Sequence, residues 1–136
     1  MGFSKFSHVK ISAIAGVVPE KVINIDDEIE FYNNDPKLLE RNKKILGLGT
    51  RHVLPEGFTS DDLCEDVAKK ILTETNTNKD DIDYLIVATN TPDYYFPSSS
   101  HRLHGKLDLL ENCTCFDMNG GCAAGGHALL MAHSLI

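Results

Sequence analysis

The stretch Phe116-Asp-Met-Asn-Gly-Gly-Cys-Ala-Ala-Gly-Gly126, running on into His127-Ala-Leu-Leu-Met131, decides the fold. Cys113 to Met118 reads as a β-strand, four glycines fall between Gly120 and Gly126, and Cys122 to Ile136 is apolar almost all the way round. This order predicts a strand that turns sharply into a buried helix, with Cys122 at the turn. A helix N-terminus offers unpaired N–H groups and positive potential, which favour thiolate over thiol. Small neighbours leave room for a substrate carbonyl to approach both the sulfur and those N–H groups, as in an oxyanion hole. Packing is the competing explanation. Gly125 and Gly126 each cost about 1 kcal/mol relative to Ala inside a helix, and close helix contact would offset that as well as catalysis would. Local chemistry leaves both readings open. A nucleotide site is the weaker idea, because the glycines form neither G-x-G-x-x-G nor a lysine-bearing P-loop.

Working outward, Tyr84-Leu-Ile-Val-Ala88 is an unbroken β-rich run of the kind that suits a strand covered on both faces. Between it and the Cys122 segment, Ser98 is placed to cap a helix running toward Gly105. Upstream, Leu63, Cys64, Val67, Ala68, Ile71 and Leu72 form one apolar stripe, predicting a helix from about Thr59 to Thr75 with Thr59 and Asp62 as a capping box. Asp35-Pro36 starts another helix that Gly47 should end, and Asp26 is expected to cap a short helix carrying Ile29 and Tyr32. Val9, Ile11, Ala13 and Ala15 alternate and are expected to form a first strand ending at Gly16. Strands alternating with helices indicate an α/β fold with a mostly parallel sheet.

The chain of 136 residues fits one domain and has a formal net charge of −7, which counts against a nucleic-acid partner. Its longest nearly apolar stretch, Val9 to Val18, contains Lys10 and Ser12 and is too short for a bilayer. With no leader or myristoylation signal recognisable, a cytoplasmic location and no membrane contact are expected. Four cysteines, Cys64, Cys113, Cys115 and Cys122, are too few for a disulfide scaffold. Cys64 belongs to the apolar helical stripe. Cys113 and Cys115 with His101 and His104 would be a metal set, but H-x-x-H followed by C-x-C matches no usual structural zinc spacing, so no metal or cofactor is expected.

Phe116-Asp-Met-Asn-Gly-Gly-Cys-Ala-Ala-Gly125 resembles the nucleophile segment of β-ketoacyl-acyl-carrier-protein synthase III and its relatives in the thiolase superfamily. Three further stretches resemble that family in order and spacing: Ile14-Ala-Gly-Val-Val-Pro-Glu20, Leu46-Gly-Leu-Gly-Thr-Arg-His52 and Ile86-Val-Ala-Thr-Asn-Thr-Pro-Asp-Tyr-Tyr-Phe-Pro-Ser98. The resemblance implies a thiolase-like fold. It implies that Cys122 takes an acyl group from acyl-CoA, and that a malonyl thioester on acyl carrier protein then condenses with it by decarboxylation. Phe96 matches a phenylalanine that crosses a homodimer interface to border the partner's acyl pocket, where the competing view is a core aromatic. Arg51 and His52 match the end of a segment at the coenzyme A entrance, where a solvated turn is the competing view.

The chain departs from the family pattern in having no tryptophan to stack on adenine near Arg41, and Ile45 and Leu46 stand where arginine and threonine are common. The family's histidine and asparagine, from a second half, are also unmatched. His127 sits about 140° round a helix from Cys122. Residues 1–136 are therefore expected to be an N-terminal half-domain, inactive alone. The alternatives are a hydroxymethylglutaryl-CoA-synthase-like or secondary-metabolite condensing enzyme, and a non-catalytic α/β binding or scaffold module.

Overall fold

A computed structural model describes residues 4–136, which form two compact units. The smaller, Val18–Phe58, holds β1 (Lys21–Asn24), α1 (Pro36–Leu46) and β2 (Thr50–Val53). β1 and β2 pair antiparallel, with Val22 opposite His52 and Ile23 opposite Arg51. Neither strand is anticipated by the sequence pattern, because four-residue strands carry too little alternation to register. α1 starts as expected: the Asp35 carboxylate accepts the Lys37 N–H at 2.8 Å, Pro36 fills the first turn, and Gly47 ends the helix at φ +67°. The expected Asp26 cap is corrected. Residues Ile25–Tyr32 form a 3₁₀ helix capped by Asn24, whose side chain accepts the Asp26 N–H at 3.0 Å, while Asp26 pairs with Lys43.

The larger unit holds α2 (Ser60–Glu74), β3 (Tyr84–Ala88), α3 (Ser99–Leu107), β4 (Thr114–Met118) and α4 (Ala124–Leu135), together with the described residues before Val18. β3 and β4 pair in parallel from Tyr84 opposite Thr114 to Ala88 opposite Met118. Val87, Leu103, Leu107, Leu109 and Cys113 are buried as its core, with Cys64, Ala68 and Leu72 from the α2 stripe packed against them. Burying each large aliphatic side chain stabilises by roughly 1.5–3 kcal/mol. The capping box at α2 is present: the Thr59 N–H donates to Asp62 Oδ2 at 3.0 Å. That hydrogen bond, then the one from Lys106, holds the Asp62 carboxyl below its usual range.

Two expectations are corrected here. Residues 9–16 form no strand ladder among the described residues. Their alternation is only partly expressed, for Val9, Ala13 and Ala15 are half-buried and Lys10, Ser12 and Ile14 exposed, but Ile11 of the expected face is exposed as well. Alternation records which face packs, whereas a strand also needs a neighbouring backbone. The last helix is not buried all round either. Its least exposed flank is Ala124, Ala128 and Ala132, and Leu129, Leu130, Met131 and Leu135 are exposed. Small residues let α4 lie close to the strand pair, while Leu129 borders a cleft beside Ile86 of β3. None of the helices is long and apolar enough to cross a membrane among the described residues.

The N-terminus of α3 is capped from outside its own segment. Ser98 stands at the cap position but shares its hydroxyl with Ser100 and His101. The Asp117 carboxylate on β4 instead accepts the Ser99 N–H at 2.8 Å and the Ser100 N–H at 2.7 Å. An anion on two unpaired N–H groups at the positive end of the helix is doubly favourable. Replacing Asp117→Ala is predicted to lower stability by about 1–2 kcal/mol in urea denaturation, with Asp117→Asn costing less. An unchanged urea midpoint in Asp117→Ala would contradict the capping role.

Candidate active site

Cys122 is exposed in a single 3₁₀ turn, Gly121–Ala123, between the end of β4 and the start of α4. The turn needs its glycine, since Gly121 has φ +60°, a left-handed conformation that a side chain disfavours. The Gly121 N–H donates to the Asn90 side-chain oxygen at 3.1 Å, and the Ala123 N–H returns to the Gly120 carbonyl at 3.3 Å. Asn90 leaves β3 just where Asn119 leaves β4, so the two strand ends carry the turn between them. A cleft of about 380 Å³ opens beside it, lined by Asn90, Thr91, Asp93, Tyr94 and Asn119 among others. Cys122 does not line this cleft directly; it sits on the adjoining turn.

Gly125 and Gly126 have nothing within 4 Å of where a Cβ would stand. Close packing within the described residues therefore does not require these two glycines, which weakens the filler reading of the segment. His127 does not point away from the turn, for its Nδ1 lies 3.6 Å from where a Cβ on Gly120 would be. His133 is engaged elsewhere, bonding the Leu129 carbonyl through Nδ1 at 2.6 Å and stacking near Phe6.

Phe96 is 89% exposed, so it is not a core aromatic among the described residues. Its loop is nonetheless firmly held at the base. Asp93 accepts from the Thr59 hydroxyl at 2.7 Å and from Arg102 at 2.9 Å, the Ser60 hydroxyl reaches the Thr91 carbonyl at 2.7 Å, and Tyr94 lies under the Arg102 guanidinium at 4.5 Å. Arg102 also pairs at 2.8 Å with Asp61, which is nearly fully buried. This network is invisible in the sequence, because its members are spread from residue 59 to residue 102. Arg51 lies in the smaller unit, on β2, where both guanidinium arms engage Glu28. His52 bonds the Pro19 carbonyl through Nδ1 at 2.6 Å.

The other cysteines differ from Cys122. Burial first, then the charges of Asp61, Asp93 and Asp117, push the Cys64 thiol up. Burial and the neighbouring Cys113 push Cys115 up to about 11. Cys113 itself is buried. The structure also gathers His104, Cys113 and Cys115 into one cluster and leaves out His101, which is held by Ser98. Limiting iodoacetamide at pH 8 is predicted to alkylate Cys122 first in peptide mapping. Labelling of Cys115 should then grow about tenfold per pH unit toward 11, as its thiolate fraction does. Cys64 labelled ahead of Cys122 would contradict this ranking.

No protein-family model matches the chain. Individual proteins do match. A Campylobacter jejuni protein with the provisional name 3-oxoacyl-[acyl-carrier-protein] synthase 3 is 41% identical over 134 residues, covering 98% of this chain and 38% of its own length. The β-ketoacyl-[acyl-carrier-protein] synthase III of Rickettsia prowazekii is 35% identical, covering 93% of this chain and 39% of its own. The chain thus spans about two-fifths of the length of the curated relatives it matches. Among solved structures, the 3-oxoacyl-(acyl-carrier protein) synthase of Burkholderia xenovorans superposes with a TM-score of 0.79 at 30% identity, over 88% of this chain and 34% of that one. Xanthomonas campestris OleA superposes with a TM-score of 0.83 at 21% identity, over 96% of this chain and 39% of that one, a likeness of fold alone. Over nearly all its length, then, the chain is a homologue of the β-ketoacyl-acyl-carrier-protein synthase III enzymes and has their thiolase-like α/β fold.

Proposed function

We propose that these residues carry the nucleophile of a 3-oxoacyl-[acyl-carrier-protein] synthase III-like condensing enzyme, an acyltransferase of fatty acid synthesis. The observation that carries the reading is an exposed cysteine on a glycine turn at the carboxyl ends of two parallel strands. In open α/β sheets this is where ligands collect. The Cys122 sulfur attacks the carbonyl carbon of an acyl-CoA. The bond from that carbon to the coenzyme sulfur breaks, and the coenzyme thiol leaves with the proton that Cys122 gave up. A malonyl thioester on acyl carrier protein then loses carbon dioxide. Its α-carbon attacks the acyl-cysteine carbonyl, and the Cys122 thiolate is released. The Cys122 N–H serves the oxyanion, aided by the positive end of α4.

The remaining assignments belong to the same proposal. Phe96, exposed on its anchored loop, is suited to border an acyl pocket in a homodimer, and Arg51 to meet the coenzyme. The chemistry calls on no cofactor, the substrates are free thioesters or carrier-bound ones, and the cytoplasm is the compartment in which they meet. The condensation is assigned to the whole protein, of whose relatives this chain matches about two-fifths.

Cys122→Ala is expected to lower coenzyme A release from acyl-CoA at least about 10⁴-fold. The thermal midpoint should hardly move, because the side chain is exposed. A large loss of stability with transfer retained would favour a packing role instead. Asn90→Ala frees the Gly121 N–H and should slow acylation about 10–100-fold through misplacement of the sulfur, at little cost in substrate binding. An Asn90→Ala protein with full acylation rate would remove Asn90 from the account.

A further inference from the structure

A second cluster of chemistry-bearing side chains lies away from the Cys122 turn. His104 comes from α3, Cys113 immediately precedes β4, and Cys115 lies within β4. One ring nitrogen and the two sulfurs all lie within 4.8 Å of one another. Cys113 and Cys115 are two residues apart in extended chain, and period two puts both on the same face. Asp117, two further on, shares that face and grips the N-terminus of α3, so β4 turns this whole row toward the helix that supplies His104.

The imidazole is already oriented. His104 Nε2 lies 2.9 Å from the Leu110 carbonyl, which can only accept, so Nε2 carries the proton and Nδ1 the lone pair. A ring N–H held by a backbone carbonyl is the support that metal-ligating histidines commonly have. Packing accounts for Cys113, which is buried among Val87, Leu103, Leu107 and Leu109. Cys115 packs against the same core from its edge, and packing does not account for an imidazole beside the two sulfurs. The Cys115 thiol donates a weak hydrogen bond to the Cys113 carbonyl at 3.6 Å, which it would give up on binding a metal.

We propose that His104, Cys113 and Cys115 form a binding site for a thiophilic d¹⁰ cation of the Zn²⁺ class, separate from the nucleophile. Two thiolates and one neutral imidazole supply three positions of a tetrahedron, and a fourth is left for water. Bonds of about 2.3 Å to sulfur and 2.0–2.1 Å to nitrogen make edges of roughly 3.5–3.8 Å, so the three donors close in modestly on the ion. Each thiol gives up its proton to solvent as its bond to the metal forms. The ion then ties the end of α3, the connection after it and β4 together, which stiffens the strand leading to Cys122. The site stands independently of what Cys122 does.

The test uses the intact protein carrying Cys122→Ser, which removes the exposed thiol, prepared metal-free and titrated with Co²⁺ and then Zn²⁺. One equivalent of Co²⁺ should produce thiolate-to-cobalt charge-transfer absorption in the near ultraviolet together with the intense visible bands of a tetrahedral site. Zn²⁺ should erase both at one equivalent. Cys115→Ser and His104→Gln, each on a partly exposed residue and checked for folding by circular dichroism, should weaken Zn²⁺ binding at least about a hundredfold. Absence of charge-transfer absorption in the parent would overturn the proposal. So would bands that survive in both variants.

Discussion

The register of β3 against β4 is the constraint on which the rest depends. The two parallel strands end together, Ala88 opposite Met118, and the Thr89 N–H continues the pairing to the Met118 carbonyl at 3.2 Å. Both chains leave the pair at the same level, and the side chain of Asn90 reaches the backbone of Gly121 from there. A slip of one residue would turn every side chain of the strand to its other face. It would also carry the Cys122 turn away from the loop of residues 89–97.

β4 joins two jobs that its alternation keeps apart. Its backbone delivers the turn, while the face bearing Cys115 and Asp117 is spent on α3. Asp117 fixes where α3 begins, and α3 in turn supplies Arg102, which holds Asp61 and Asp93. The loop bearing Phe96 thus depends on the same strand that presents Cys122, through α3 as well as through Thr89 and Asn90 at its own start. Exposed ion pairs are worth little singly, but Asp61 is buried and shares its arginine, so breaking this set should be felt.

Local signals were the legible ones. Asp35, Pro36 and Gly47 bound α1 because caps act within a turn of the helix they end, and the α2 stripe and the Tyr84–Ala88 run were visible for the same reason. What stayed hidden was made by distant partners. Asn24 outcompetes Asp26 as a cap, Asp117 caps a helix eighteen residues upstream, and His104 joins two cysteines only once α3 lies on β4. Apolar composition promised that α4 would be buried. Its alanine flank is the least exposed, and its leucines remain substantially exposed. At the candidate site the glycines and Cys122 were readable from their order, whereas Asn90 was not, since nothing in its own segment marks it as the support of a turn thirty residues on.

The most direct measurement is the mass of the intact protein after brief exposure to an acyl-CoA, followed by peptide mapping under conditions that preserve thioesters. The account predicts a single added acyl group, lost on treatment with hydroxylamine and located on the peptide containing Cys122. An unmodified protein, or an acyl group carried by Cys64, would contradict it.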